Sequence, residues 1–309
     1  MTLQQLKYVV ALDDFRHFVK AAQHCFVTQP TLTLQVKKLE EELNLVLFDR
    51  SVQPFVPTPL GERFIRKARQ ILMDVYNLKN MILEEQESLQ GNFRLGIIPT
   101  LAPYLLPLFV HKFSEAFPNI HLEIHELTTQ DILDGLHNTH LDMGIAVTPL
   151  MENNLREIPV FYEPFLVFAS PEHPLTHLSI IQSKDIVQEG LWLLKQGHCF
   201  RDQVLNICDL DKEQPNSGYS FESGSIETLK NMVRNNQGYT LIPELSANEK
   251  IEKTYLRRFQ EPEPVREVSL IVHQNFYKEQ LLHELHGYIQ KVIPKKFHRS
   301  QKRALISWR

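Results

Sequence analysis

Apolar residues hold a helical period over residues 3–89, and at Gly91 that period breaks into short β-type runs. A chain that changes period once in this way needs two kinds of core, a helical one and an α/β one, and 309 residues are enough for about two ordinary domains. With 43% apolar and 23% charged residues it can bury both, which excludes disorder. The uncharged stretch 101–110 carries two prolines and falls short of the roughly 20 apolar residues a bilayer demands. Residues 1–12 hold one lysine and no long apolar region, and Asp13 and Asp14 follow at once, so no secretory signal and no export are expected. Three cysteines are too few for a disulfide framework and fit a reducing compartment, the cytoplasm.

Net charge is −4, and residues 1–60 balance six basic against six acidic side chains, so bulk charge announces no nucleic-acid partner. Only the C-terminal stretch is lopsided. Lys295, Lys296, Arg299, Lys302, Arg303 and Arg309 stand there without an acid, which reads as a solvated tail, with nucleic-acid contact as the second reading.

Leu3, Leu6, Val9 and Val10 space a first helix, and Phe18, Ala21, Ala22 and Cys25 a second, with Cys25 on its buried side as an inert apolar group. A third starts more sharply, with Thr28 as N-cap, Pro30 in the first turn, an apolar stripe of Leu32, Val36, Leu39 and Leu43, and Asn44 as a left-handed stop. Two short helices joined by a tight segment, the second with Gln29, Thr31, Thr33 and Gln35 on its first turns, have the form of a helix-turn-helix. Such side chains reach base edges and phosphates. On spacing alone a three-helix protein-docking scaffold fits equally.

Thr58 and Pro59 then open a long helix toward Ser88, broken in pattern only by Glu85. Phe64, Ala68, Ile71, Val75, Leu78, Ile82 and Leu89 keep the 4,3,4,3,4,7 spacing of a coiled-coil seam, and a second copy of the chain is its natural partner. After Gly91, strands at 93–98, 120–124 and 141–147 alternate with helices at 105–117 and 132–136. Strands at 165–169, 191–194, 239–242 and 268–272 follow. This predicts two α/β lobes with crossings near Pro164 and Pro264, and ligand-binding loops at Pro99-Thr100 and Leu127-Thr128-Thr129, the C-terminal strand ends.

Six fragments in register carry a resemblance: Ala21-Ala22, Val27-Thr28-Gln29-Pro30-Thr31-Leu32-Thr33, Lys38-Leu39-Glu40, Leu43-Asn44, Leu47-Phe48-Asp49-Arg50 and Thr58-Pro59-Leu60-Gly61-Glu62. Together they resemble the N-terminal signature of LysR-type transcriptional regulators, departing at Asn44, where glycine is usual. The resemblance implies an α/β fold class with an N-terminal all-α winged helix-turn-helix at 1–58 and a dimerising linker helix at 59–90. It implies a two-lobed regulatory domain at 91–309, similar to periplasmic binding proteins, with lobe I at about 91–163 and 267–300 and lobe II at about 164–266. Gln29, Pro30, Thr31, Thr33, Lys37, Lys38 and Arg50 would face double-stranded DNA carrying an inverted repeat. Phe64, Ile71, Val75, Leu78 and Ile82 would join a homodimer or homotetramer, and RNA polymerase is a candidate partner.

A narrower resemblance rests on Gly197-His198-Cys199-Phe200-Arg201-Asp202-Gln203 with Cys208, on Ile98-Pro99-Thr100 and Pro103-Tyr104-Leu105-Leu106-Pro107, and on Thr129 and Glu227-Thr228-Leu229. It is similar to the hydrogen peroxide sensors of OxyR type within that family. The implied site has Cys199 oxidised and linked to Cys208, with Thr100, Thr129, His198, Arg201 and Asp202 positioning peroxide or stabilising the thiolate. A thiol attacks peroxide only as thiolate, so the reading expects cations, helix amides and solvent access at Cys199, while Asp202 opposes. If residues 199–208 form one helix, nine steps put the α-carbons about 13–14 Å apart on opposite faces, and a disulfide then requires local refolding. No second His or Cys stands at metal spacing from His198, and neither metal nor cofactor is expected. Two alternatives stay open. A LysR-type regulator could bind a small metabolite between its lobes, and a thiol peroxidase could use the same cysteine, although catalysis has no need of residues 1–88.

Overall fold

The computed structural model describes residues 1–84, 89–208, 223–236, 238–298 and 303–307. They form two compact units, Met1–Ser88 with His137–His140, and Leu89–Leu136 with Leu141–Arg309. In the first, helices α1 (Leu3–Phe15), α2 (Phe18–His24) and α3 (Gln29–Leu43) close over a core of Val9, Leu12, Ala21, Leu32, Val36 and Leu39. The start and stop of α3 follow from local chemistry. The Thr28 hydroxyl accepts from the Thr31 N–H, Pro30 occupies the first turn, and Asn44 ends the helix in the left-handed region at φ 52°. A two-stranded wing follows, β1 (Phe48–Asp49) antiparallel to β2 (Val56–Pro57). Glu40 ties α3 to it, accepting from the Leu47 N–H at 2.8 Å and from Arg50 at 3.0 Å.

Helix α4 (Pro59–Glu84) is capped by Thr58, whose hydroxyl accepts from the Gly61 N–H at 3.0 Å and donates to the Val46 carbonyl at 2.8 Å. A Cβ on Gly61 would stand 2.0 Å from the Leu47 carbonyl oxygen, so only glycine fits there. The seam has an intrachain partner over its first turns. Phe64 packs on the core of the first unit beside buried Ile65, Ala68 is buried as well, and buried Arg69 pairs with Asp13 at 2.8 Å and with Asp14 on α1. Farther on, Ile71 and Leu78 are exposed and Val75 is half-buried. The Ile82 side chain, Glu85 and the expected helix end at Ser88 lie outside the described residues.

In the second unit β3 (Gly91–Ile97) pairs in parallel with β4 (Ile120–Glu126) and β5 (Met143–Thr148), connected through α5 (Ala102–Ala116) and α6 (Thr129–His137). Two long strands, β6 (Leu155–Ala169) and β9 (Glu263–His273), run antiparallel through the middle. Strand β6 pairs with β9 as far as Pro164 and with β7 (Tyr239–Pro243) from Phe165, so it leaves one core and enters another. The first core gathers Leu95, Leu105, Phe109, Ile145, Phe161 and Leu270, and the second Phe165, Val167, Val204, Leu229, Leu241 and Phe259. Helices α7 (Cys199–Cys208), α8 (Ile226–Asn236) and α9 (Glu249–Glu252), strand β8 (Leu256–Arg258) and helix α10 (Glu279–Val292) complete the unit.

Two expectations are corrected. Residues 191–194 make no strand, only a bridge from Leu191 to Tyr239. The basic stretch is not a solvated tail, for Arg303–Leu305 forms β10, parallel to β9 at Glu263–Val265, and Lys296 pairs with Glu244. The apolar residues between its charges decide this: Phe297 is buried in the first core and Ile306 packs on the second. Arg299, Lys302 and Arg309 lie outside the described residues.

Candidate redox site and DNA-facing helix

Gly197, at φ 94°, turns the chain into α7, and Cys199 is the first residue of that helix. Its side chain is buried in the core of β3, β5 and β9, whereas the rest of α7 packs in the other core. Thr100, just past β3, and Thr129, at the start of α6, come from the loops at the C-terminal ends of β3 and β4, and both are buried. Thr129 lies at the Cys199 thiol, and Thr100 bonds Arg266, so each strand-end loop brings a hydroxyl toward this site.

Only 4% of Cys199 is exposed, where solvent access was expected. Burial pushes its thiol up, while the Thr129 hydroxyl, the Arg266 guanidinium and the Phe200 N–H pull it down and Asp202 pushes it up. Apart from the thiol, the buried Thr129 hydroxyl has no hydrogen-bond partner among the described residues. Burial and Lys195 hold the His198 imidazole below the ordinary range and so disfavour its charged form, and its buried Nε2 lacks a partner among the described residues. Arg201 donates to the Leu194 carbonyl at 3.1 Å.

The cation whose charge favours an ionised Cys199 is Arg266, which no motif singled out. It is fully buried, donates to Glu163 at 2.9 Å and 2.7 Å, to the Thr100 hydroxyl at 2.8 Å and to the Thr100 carbonyl at 3.1 Å, and lies over the Phe200 ring. Glu163 also accepts from the Leu245 N–H at 2.8 Å, and burial pushes its carboxyl up against these partners. Glu163 and Arg266 are opposite one another in the β6–β9 register, at the point where β6 changes cores. A buried ion pair at such a crossing is visible only once the strands are paired. The quoted fragments around Tyr104 and Glu227 also meet, through a 2.9 Å bond from the Tyr104 hydroxyl to the Glu227 carboxylate.

Cys208 ends α7 in the second core, and burial raises its pKa to about 12. The helix is continuous between the two cysteines, so the sulfurs start on opposite faces, separated by about 13–14 Å of helix axis. Cys25 caps α2, half-buried, its pKa raised by burial.

On α3, Gln29, Pro30, Thr31, Lys37 and Lys38 are exposed, and Thr33 is half-buried. Lys37 pairs with Glu41 at 3.6 Å, while Arg50 pairs with Glu40 and lies over the Phe18 ring, which holds it at the wing.

Residues 3–62 match the model for the bacterial regulatory helix-turn-helix protein of the lysR family, and residues 86–294 match the LysR substrate binding domain. The chain belongs to the LysR family. It is a DNA-binding transcription regulator, not an enzyme. Among its LysR relatives, a hydrogen peroxide-inducible genes activator of Haemophilus influenzae is 35% identical over 274 residues, covering 88% of this chain and 90% of that one. The DNA-binding transcriptional dual regulator OxyR of Escherichia coli is 34% identical, covering 88% and 89%. An HTH-type transcriptional regulator named EstR, from Acinetobacter baylyi, is 33% identical, covering 87% of this chain and 86% of that one. Full-length OxyR from Pseudomonas aeruginosa, with a cysteine-to-aspartate substitution, superposes with a TM-score of 0.80 at 32% identity, covering 94% and 95%. No described helix is long and apolar enough to cross a membrane.

Proposed function

We propose that this regulator senses hydrogen peroxide through Cys199 and relays the signal through a Cys199–Cys208 disulfide. The observation that carries the reading is the setting of Cys199, a buried helix-first thiol whose ionised form the buried Thr129 hydroxyl and the buried cation Arg266 both favour. The Cys199 thiolate attacks one peroxide oxygen, the O–O bond breaks, sulfur becomes a sulfenic acid, and the departing hydroxide takes a proton to leave as water. The Cys208 thiolate then displaces hydroxide from that sulfur, forming the S–S bond and a second water. Two thiols and one peroxide thus give one disulfide and two waters. Thr100, Thr129 and Arg266 would hold peroxide, with His198, Arg201 and Asp202 around them. Since α7 separates the sulfurs, closure must unwind it, which converts a local oxidation into a shape change.

In this reading residues 1–58 bind DNA, 59–90 form the linker and 91–309 sense. Two or four copies, joined through Ile71, Val75, Leu78 and Ile82, read an inverted repeat in the cytoplasm with RNA polymerase as the downstream partner. The test is mass spectrometry after stoichiometric peroxide. Wild type should yield a Cys199–Cys208 crosslinked peptide, Cys25→Ser the same peptide, Cys199→Ser none, and Cys208→Ser a persistent sulfenic or over-oxidised Cys199. Unmodified Cys199 in treated wild type overturns the reading.

A further inference from the structure

The segment that sequence alone leaves in solvent lies against the thiol-bearing helix. The Gln203 amide, fully buried, donates to the Ile306 carbonyl at 2.7 Å, and Asn206 donates to the Ser307 carbonyl at 2.8 Å. Gln203 and Asn206 stand four and seven residues after Cys199, so the three share one face of α7, and Cys208 is on the other. The same segment is fixed at its other side to β9. Strand β10 pairs with Glu263–Val265, the Ile306 N–H donates to the Val265 carbonyl at 2.9 Å, and Arg266 is the next residue. Arg303 completes the clamp by donating to the Tyr162 and Lys296 carbonyls.

We propose that residues 303–307 are a positioning element of the thiol site. Through Gln203 and Asn206 they hold α7 helical and so keep Cys208 away from Cys199 until oxidation drives the helix apart. This rests on the peroxide reading above. The two carbonyls accept from side chains that keep their places only while residues 203–206 are helical, so any unwinding that brings Cys208 round the helix breaks both bonds. Losing one such bond shifts an opening equilibrium by roughly three- to tenfold, and losing both by more.

The experiment compares the full chain with Asn206→Ala, Gln203→Met and a chain ending at Lys302. The first readout is amide hydrogen exchange over residues 200–207 in the reduced protein, which needs no peroxide. Exchange should quicken about three- to tenfold in each single variant and most in the shortened chain. The second is the rate at which the Cys199–Cys208 peptide forms from pre-formed sulfenic acid, which should rise in the same order. Asn206→Gln, which keeps a side-chain amide, should recover part of both effects; Asn206→Ala keeps the proposal testable if the buried-site variant or the shortened chain fails to fold. Unchanged exchange in Asn206→Ala and the shortened chain overturns the positioning role. Faster exchange with an unchanged disulfide rate overturns it too, since the segment then only stabilises α7. If no protein, wild type included, forms the disulfide while exchange responds, the peroxide reading is what has failed, and the positioning role falls with it.

Discussion

Arg266→Met is the perturbation that most directly probes the site. The guanidinium makes two contacts to Glu163 and two to Thr100 in a fully buried setting, and methionine fills much of its volume without the charge. Glu163 must then stay charged in a dry site or take up a proton, and breaking a buried pair from one side costs about 3–5 kcal/mol. At about 2–4 °C per kcal/mol for a domain of this size, the melting midpoint of the regulatory part should fall by roughly 10 °C. The loss should shrink as the pH is lowered, because protonated Glu163 no longer needs a cation. The Cys199 thiol loses a favourable charge, so the midpoint of its alkylation by iodoacetamide should move to higher pH and alkylation at neutral pH should slow. Adding Glu163→Gln should recover most of the stability and none of the reactivity. A single variant that melts within about 2 °C of wild type, or a double variant that regains the alkylation rate, refutes the assignment of Arg266 as the cation at the thiol.

Ile71→Glu places a charge on the exposed stretch of α4 and should lower affinity for a full inverted-repeat site far more than for a half-site; equal losses on both would remove the dimer argument. Thr31→Val and Gln29→Ala should relax base preference, each costing about 1–3 kcal/mol at the cognate base, and footprints with unchanged specificity for both would count against α3 as the reading helix. Glu244 is held below the usual carboxylate range, burial opposing and the hydrogen bonds from Arg258 and Lys296 prevailing. Its contribution to stability is therefore complete above about pH 4.5 and is lost as the pH falls through its lower folded value. Acid unfolding of Glu244→Gln should lack that part of the pH dependence, and identical acid profiles would contradict it.

Local chemistry wrote much of this molecule into its sequence. Thr28 and Asn44 bound α3 because a hydroxyl cap and a left-handed stop act within a few residues, and Gly61 is required by one close carbonyl. The change of period at Gly91 separates helical from α/β structure, and strand-end loops bring in Thr100 and Thr129. The separation of Cys199 from Cys208 follows from their spacing once residues 199–208 form one helix, as they do.

What depends on residues distant in the chain became visible only in the fold. Arg266 and Glu163 meet because β6 and β9 pair in one register, and no spacing rule places residues 163 and 266 side by side. The charges expected beside Cys199 proved local in sequence but not in effect: burial disfavours a charge on His198, and Arg201 turns to a backbone carbonyl. Phe64 and Ala68 looked like seam residues, and α1 covers the turns that carry them. The basic stretch looked solvated because its charges dominate its composition, yet Phe297 and Ile306 bury and carry the strand onto β9. Period and capping are properties of neighbours along the chain, whereas burial, charge pairing and the pKa of a thiol are set by whichever segments the tertiary fold packs around it.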